Sequence, residues 1–123
     1  MAAVLVIDDD PRFCRLVRLM LEGEGHAVVT ATDGFEGIDY FSQRRPDLVI
    51  TDMIMPHFDG IETISVLRGL DPSVPIIAVS GGSEDLLRVA EDNGAVATLA
   101  KPFHSAALIS ALLAVIGGSG LPN

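Results

Sequence analysis

Five short apolar runs alternating with five stretches of helical periodicity predict an α/β protein. The expected form is a doubly wound, five-stranded parallel sheet with helices on both faces, a three-layer sandwich. Two further observations point the same way. The inner runs are apolar without alternation, as burial on both faces of a sheet requires. Four of the runs also end on polar residues. Val4-Leu5-Val6-Ile7 leads into Asp8-Asp9-Asp10, and Leu48-Val49-Ile50-Thr51 into Asp52. Ile76-Ile77-Ala78-Val79 leads into Ser80, and Val96-Ala97-Thr98-Leu99-Ala100 into Lys101-Pro102. Ligands of open parallel sheets bind beyond the carboxyl ends of the strands, and parallel pairing would bring all four endings to that edge.

The elements follow in order. After the first strand, Pro11 suits a first helical turn, with Asp9 or Asp10 as N-cap. Leu16, Val17, Met20 and Leu21 then recur at helical spacing until Gly23 and Gly25 stop the run. His26 to Ala31 reads as the second strand. Asp33-Gly34-Phe35-Glu36 resembles a capping box opening a helix that ends before Pro46. Ile61, Ile64 and Leu67 mark a third helix between Gly60 and Gly69, and Glu84 to Asn93 a fourth that Gly94 terminates. The fifth runs from about Ser105 to Ile116. Right-handed crossovers between these elements imply a parallel sheet covered on both faces, and the expected order is flavodoxin-like, 2-1-3-4-5, with the first and third strands adjacent. Residues 1–117 are expected to form one domain and residues 118–123 a flexible tail.

At 123 residues, 49% hydrophobic and 20% charged, the chain has material for one core and is not disordered. A formal charge of −9, with eight basic residues and no basic run, argues against a nucleic-acid footprint. Cys14 is the single cysteine, so no internal disulfide forms, and a small residue packed in the first helix is its simplest role. No apolar segment reaches the ~18–20 residues that span a bilayer, and the amino terminus lacks the basic lead of a signal peptide. The expected setting is cytoplasmic, without membrane contact.

The site is read residue by residue. Asp8 and Asp9 follow a buried strand. Neighbouring acids there serve as caps, or they suit a hard cation with oxygen ligands; Asp10 can act as a cap alone. Mg²⁺ fits better than Ca²⁺, because the run lacks the spaced ligands and central glycine of a calcium loop; Mn²⁺ is the alternative. Zn²⁺ is disfavoured, since His26, His57 and His104 are scattered. A lone aspartate after a strand ordinarily caps a turn. Asp52, however, precedes Met53-Ile54-Met55-Pro56, which delays the next helix until Gly60 and leaves the carboxylate at the sheet edge. Beside Asp8 and Asp9 it could share their cation and attack a phosphoryl group, the metal cancelling the repulsion. Ser80 begins a Ser-Gly-Gly turn or donates to a phosphoryl oxygen. Lys101 is an exposed charge, or an inward one that needs Asp52 or its phosphate as partner.

In this order and spacing the residues resemble the response-regulator receiver domain of bacterial two-component signalling, over about Val4 to Ile116. Val6-Ile7-Asp8-Asp9-Asp10-Pro11 is similar to its acidic opening, and Asp52-Met53-Ile54-Met55-Pro56 with Gly60 to its phosphoacceptor segment. Ser80 is similar to its switch hydroxyl, and Lys101-Pro102-Phe103 to its lysine motif, in which the proline follows a cis bond. The resemblance implies that Asp52 accepts phosphate from a partner's phosphohistidine, on a histidine kinase or phosphotransferase. It also implies that Asp9, Asp52 and the Ile54 carbonyl hold Mg²⁺, with Asp8 acting through water. The expected protein is a regulatory phosphoacceptor rather than an enzyme, a stand-alone receiver that switches contact with a downstream protein. One position departs: Thr98 stands where many members carry an inward-turning aromatic, so a readout through backbone and helix shifts is expected. Ile54 and Gly82, at positions that tune phosphate lifetime, carry no group to orient a water.

From Ala106 to Ile116 the last helix has no charge, and Ser110 is its only polar side chain. Either it is an ordinary packed helix or it has a partner, with homodimerisation one option. Two competing functions remain. A haloacid-dehalogenase-like phosphohydrolase would use the Asp-x-Asp of residues 8–10, but no acid follows Lys101 to supply a late metal ligand, and Asp52 would have no role. A receiver kept only as a non-phosphorylated binding module is the other.

Overall fold

The computed structural model describes residues 1–55, 59–82 and 84–117. The expected Pro56 turn, His57 and the 118–123 tail lie outside the described residues. Five parallel strands, β1 (Ala3–Ile7), β2 (Ala27–Ala31), β3 (Leu48–Asp52), β4 (Ile76–Ser80) and β5 (Ala97–Ala100), form one sheet in the order β2-β1-β3-β4-β5. The predicted strand order is therefore found. Between and after them lie α1 (Pro11–Gly23), α2 (Gly34–Gln43), α3 (Gly60–Leu70), α4 (Glu84–Asp92) and α5 (Ser105–Leu112), the last continuing as a π-helical turn over Leu113–Gly117.

Strand alternation sorts the core into two layers. Leu5, Ile7, Val49, Ile76 and Ala78 pack with Phe41 of α2, Ile64 and Leu67 of α3 and Ala90 of α4. Val4, Val6, Leu48, Ile50, Ile77 and Val79 face the other way, against Cys14, Val17 and Leu21 of α1 and Leu108 and Leu112 of α5. Side chains two apart share a face, so α2, α3 and α4 cover one side and α1 and α5 the other. The three inner strands are almost wholly buried, which is why their sequences show no polar alternation.

Local chemistry explains the boundaries. Asp10, not Asp9, caps α1, accepting from the Arg12 N–H at 2.9 Å. Asp33 accepts from the Glu36 N–H, while the Glu36 carboxylate reaches one residue further back, to the Thr32 N–H at 2.7 Å. A full capping box forms instead at α3, where Asp59 and Glu62 each accept from the other's backbone N–H. Gly94 ends α4 with φ +111°, a conformation that favours glycine. Leu108 and Leu112 of α5 are buried; in the turn that follows, Val115 and Ile116 are half-buried and Leu113 is 60% exposed.

Candidate functional site

Register brings the polar endings together. Ile7 pairs with Thr51 and Asp52 with Val79, so Asp8 and Asp52 emerge side by side from β1 and β3. Ser80 pairs with Ala100, which places Lys101 just beyond the end of β4, and its N–H donates to the Ser80 carbonyl at 2.8 Å. Asp8 and Asp52 continue the alternation of Val6 and Ile50, toward the α1 and α5 layer. Ser80 continues that of Ala78, toward the α2–α4 layer.

Three carboxylates converge there. Asp8, Asp9 and Asp52 each offer an oxygen, and these oxygens lie within 4.8 Å of one another. Asp8 is fully buried, Asp52 is 6% exposed and Asp9 is exposed. The Lys101 Nζ donates to Asp8 Oδ2 at 2.7 Å and stands 3.7 Å from Asp52 Oδ1. The peptide bond between Lys101 and Pro102 is cis. Asp8 Oδ1 accepts from the Asp10 N–H at 2.9 Å, and Asp52 Oδ1 from the Met53 N–H at 3.0 Å.

The electrostatics follow from this crowding. Burial, and then the neighbouring Asp8 charge, push the Asp52 carboxyl up to about 6, against the partial relief that Lys101 provides. Burial likewise raises Asp8, despite its hydrogen bond to Lys101. Burial works to lower Lys101, but the Asp8 hydrogen bond and the charges of Asp8 and Asp52 prevail and hold it above its ordinary value. One ammonium therefore stands against Asp8 and Asp52, beside a three-carboxylate cluster whose repulsion a divalent cation would relieve.

The other expected site residues fall nearby. Ser80 is fully buried and accepts from the Gly82 N–H at 2.9 Å, so it does open the Ser-Gly-Gly turn. Ile54 is 54% exposed, and its N–H helps hold Asp52. Thr98 is half-buried in β5, paired with Ala78. Cys14 is buried and donates to the Asp8 carbonyl at 3.2 Å; burial pushes its thiol up to about 11, which makes it a packing residue. His26 accepts from the Ala2 N–H at 3.0 Å, away from this edge, and His104 is exposed before α5.

Two further residues shape the site. A Cβ at Gly60 would run into the Asp52 carbonyl oxygen and the Met53 Cα, so only a bare Cα lets α3 start against the Asp52 loop. Phe13 of α1 lies under the lysine, with Lys101 Nζ 4.1 Å from its ring centroid. Its position in the first turn of an amphipathic helix suggests core packing and nothing more.

An open parallel sheet whose carboxyl edge joins a lysine to a partly buried cluster of three carboxylates offers the oxygen donors that suit a hard cation. The chain belongs to the response regulator receiver domain family, whose model matches residues 4–113. It is 35% identical to the transcriptional regulatory protein GlrR of Escherichia coli over 112 residues, 90% of this chain and 25% of GlrR. It is also 35% identical to response regulator MprA of Mycobacterium tuberculosis over 114 residues, 92% of this chain and 50% of MprA. The chain thus spans a quarter to a half of these curated relatives. A response regulator receiver domain protein from Clostridium thermocellum superposes with a TM-score of 0.91 at 30% identity, covering 98% of each chain. Vibrio cholerae chemotaxis protein CheY4 superposes at 0.88 with 30% identity, over 94% of this chain and 98% of that one.

Proposed function

We propose that Asp52 accepts a phosphoryl group from a phosphohistidine on a histidine kinase or phosphotransferase, in a Mg²⁺-dependent reaction that switches contacts with a downstream protein. The observation that carries this reading is the placement of Lys101 Nζ between Asp8 and Asp52 beside the three-carboxylate cluster. The donors fit a hard cation: Asp9 and Asp52 would bind it, with the Ile54 carbonyl. Asp8, which already accepts from the Asp10 N–H and from Lys101, would act through water, as the family resemblance implies. When bound, Mg²⁺ (or Mn²⁺) supplies charge neutralisation for the incoming phosphoryl oxygens.

In the transfer, an Asp52 oxygen attacks phosphorus as the P–N bond to the imidazole breaks, its electron pair leaving with the nitrogen. The new P–O bond makes an aspartyl phosphate. Lys101 pairs with the charge that develops on the phosphoryl oxygens, and Ser80 donates its hydroxyl proton to one of them. Ser80 and Thr98 both fall on the α4 side of the sheet. Drawing Ser80 toward the phosphate pulls the β4–α4 turn with it, and α4 buries only Ala90 among its nine residues, so it yields readily. This is a regulatory role in a cytoplasmic protein, exercised by residues 1–117, and α5 is the surface for a homodimer if one forms.

A phosphohistidine donor carrying labelled phosphate, mixed with the chain and Mg²⁺, should pass its label on, and chelation of the metal should stop it. A small phosphate ester should not be turned over. Steady ester hydrolysis without a stable phosphoprotein would favour the phosphohydrolase; no transfer from any donor would leave the binding module.

A further inference from the structure

Lys101 has three N–H donors and a flexible four-carbon stem, so something must hold it where the reaction needs it. Asp8 takes one donor at 2.7 Å. On another side the ammonium lies 4.1 Å from the centroid of the Phe13 ring, well within the ~6 Å over which an aromatic face attracts a cation. Phe13 is itself fixed. Its ring meets Phe103 edge-on, centroids 5.8 Å apart at 88°, the favoured arrangement for an aromatic pair. Phe103 stands two residues beyond Lys101, and both rings pack against the α1 and α5 core layer. The lysine loop and the first turn of α1 are therefore joined by an aromatic bracket whose open face looks at the ammonium.

We propose that Phe13, braced by Phe103, is a positioning residue that aims the Lys101 ammonium at the phosphoryl group on Asp52. The inference rests on the phosphoacceptor reading. A cation that must stay near Asp8 yet reach Asp52, now 3.7 Å away, gains from a neighbour that attracts it without binding it in one hydrogen-bond geometry. The ring face allows the ammonium to slide from the carboxylates toward new oxygens, which a second fixed acceptor would resist. A merely structural Phe13 would fill the same volume but would be replaceable by an aliphatic residue.

The test uses the full chain with acetyl phosphate and Mg²⁺. Phe13→Leu keeps an apolar side chain and removes the aromatic face; Phe13→Met is the second variant if leucine impairs folding. Either should slow phosphorylation about fivefold, in keeping with the usual strength of a partly desolvated cation–aromatic contact, and Phe13→Tyr should restore the rate to within about twofold. In a Lys101→Ala background the Phe13→Leu change should cost nothing more, because a residue acting through the lysine has nothing left to act on. By NMR, the Lys101 side-chain protons should be shifted upfield by the ring, and the shift should vanish in Phe13→Leu. Wild-type rates in both aliphatic variants, or an equal loss with and without Lys101, overturn the inference and leave the phosphoacceptor reading standing. A wild-type chain that takes up no phosphate overturns both.

Discussion

Replacing Asp52 with asparagine should make the metal-free protein more stable, not less. The carboxyl is pushed from an ordinary value of 3.8 up to about 6, first by burial and then by Asp8. A carboxyl with a higher pKa folded than unfolded binds more protons in the folded state across that window. Stability therefore falls as pH rises from 3.8 to about 6, and the full penalty stands above it. About two pH units correspond to roughly 3 kcal/mol, which Asp52→Asn should recover at neutral pH. The chain has no tryptophan, so urea unfolding is best followed by circular dichroism, with divalent cations chelated. For a domain of this size the midpoint should rise by roughly 1–3 M urea with an unchanged slope. The gain should shrink toward zero near pH 4 and narrow when Mg²⁺ stabilises the wild type. An asparagine variant that is less stable at neutral pH, or a gain that ignores pH, would refute the idea that burial and carboxylate crowding strain this site.

Mg²⁺ should compete with a proton for Asp52, so its apparent affinity should weaken below about pH 6, approaching tenfold per pH unit; titration calorimetry across that range checks this, and Asp9→Ala should weaken binding throughout. Gly60→Ala should destabilise by about 1–3 kcal/mol and slow phosphorylation, because its methyl group meets the Asp52 carbonyl and Met53 Cα; a variant that unfolds and labels like the wild type would contradict the close approach. Arg68 donates to the carbonyls of Asp71, Val74 and Gly94, tying α3 to the starts of β4 and β5. Arg68→Ala should lower stability by about 2–3 kcal/mol in urea unfolding while leaving the Asp52 site able to accept phosphate. With Thr98 in place of an aromatic, an activated structure should differ from the resting one in backbone and helix position over residues 80–100, and superposable backbones there would defeat that readout.

Much of the fold was legible because parallel strands buried on both faces leave an unmistakable composition. The runs at β1, β3 and β4 are legible to within a residue, and the alternation of elements gives a parallel sheet, while the order 2-1-3-4-5 is one of two common doubly wound orders that fit such alternation. Individual caps were less legible: the Asp59 and Glu62 capping box at α3 went unread, since the nearby Gly60 already looked like a boundary. The convergence of Asp8, Asp9, Asp52 and Lys101 was readable because register turns strand endings into neighbours. Ser80 lies on the same edge and opens the Ser-Gly-Gly turn that its neighbouring glycines suggest. Phe13 is less legible, because it acts through a ring face that leaves no spacing to recognise; Gly60 is legible as a boundary and as part of the Asp52 segment, but its close approach to the Asp52 carbonyl is not.

The destination of the phosphate decides whether Asp52 is the acceptor. After incubation with acetyl phosphate and Mg²⁺, reduction with tritiated borohydride converts an aspartyl phosphate to homoserine and marks its position. Tritium should appear in the single peptide containing Asp52 and be absent from the Asp52→Asn variant. Label at Asp8 or Asp9, or label that persists in that variant, would contradict the assignment of this carboxylate as the acceptor.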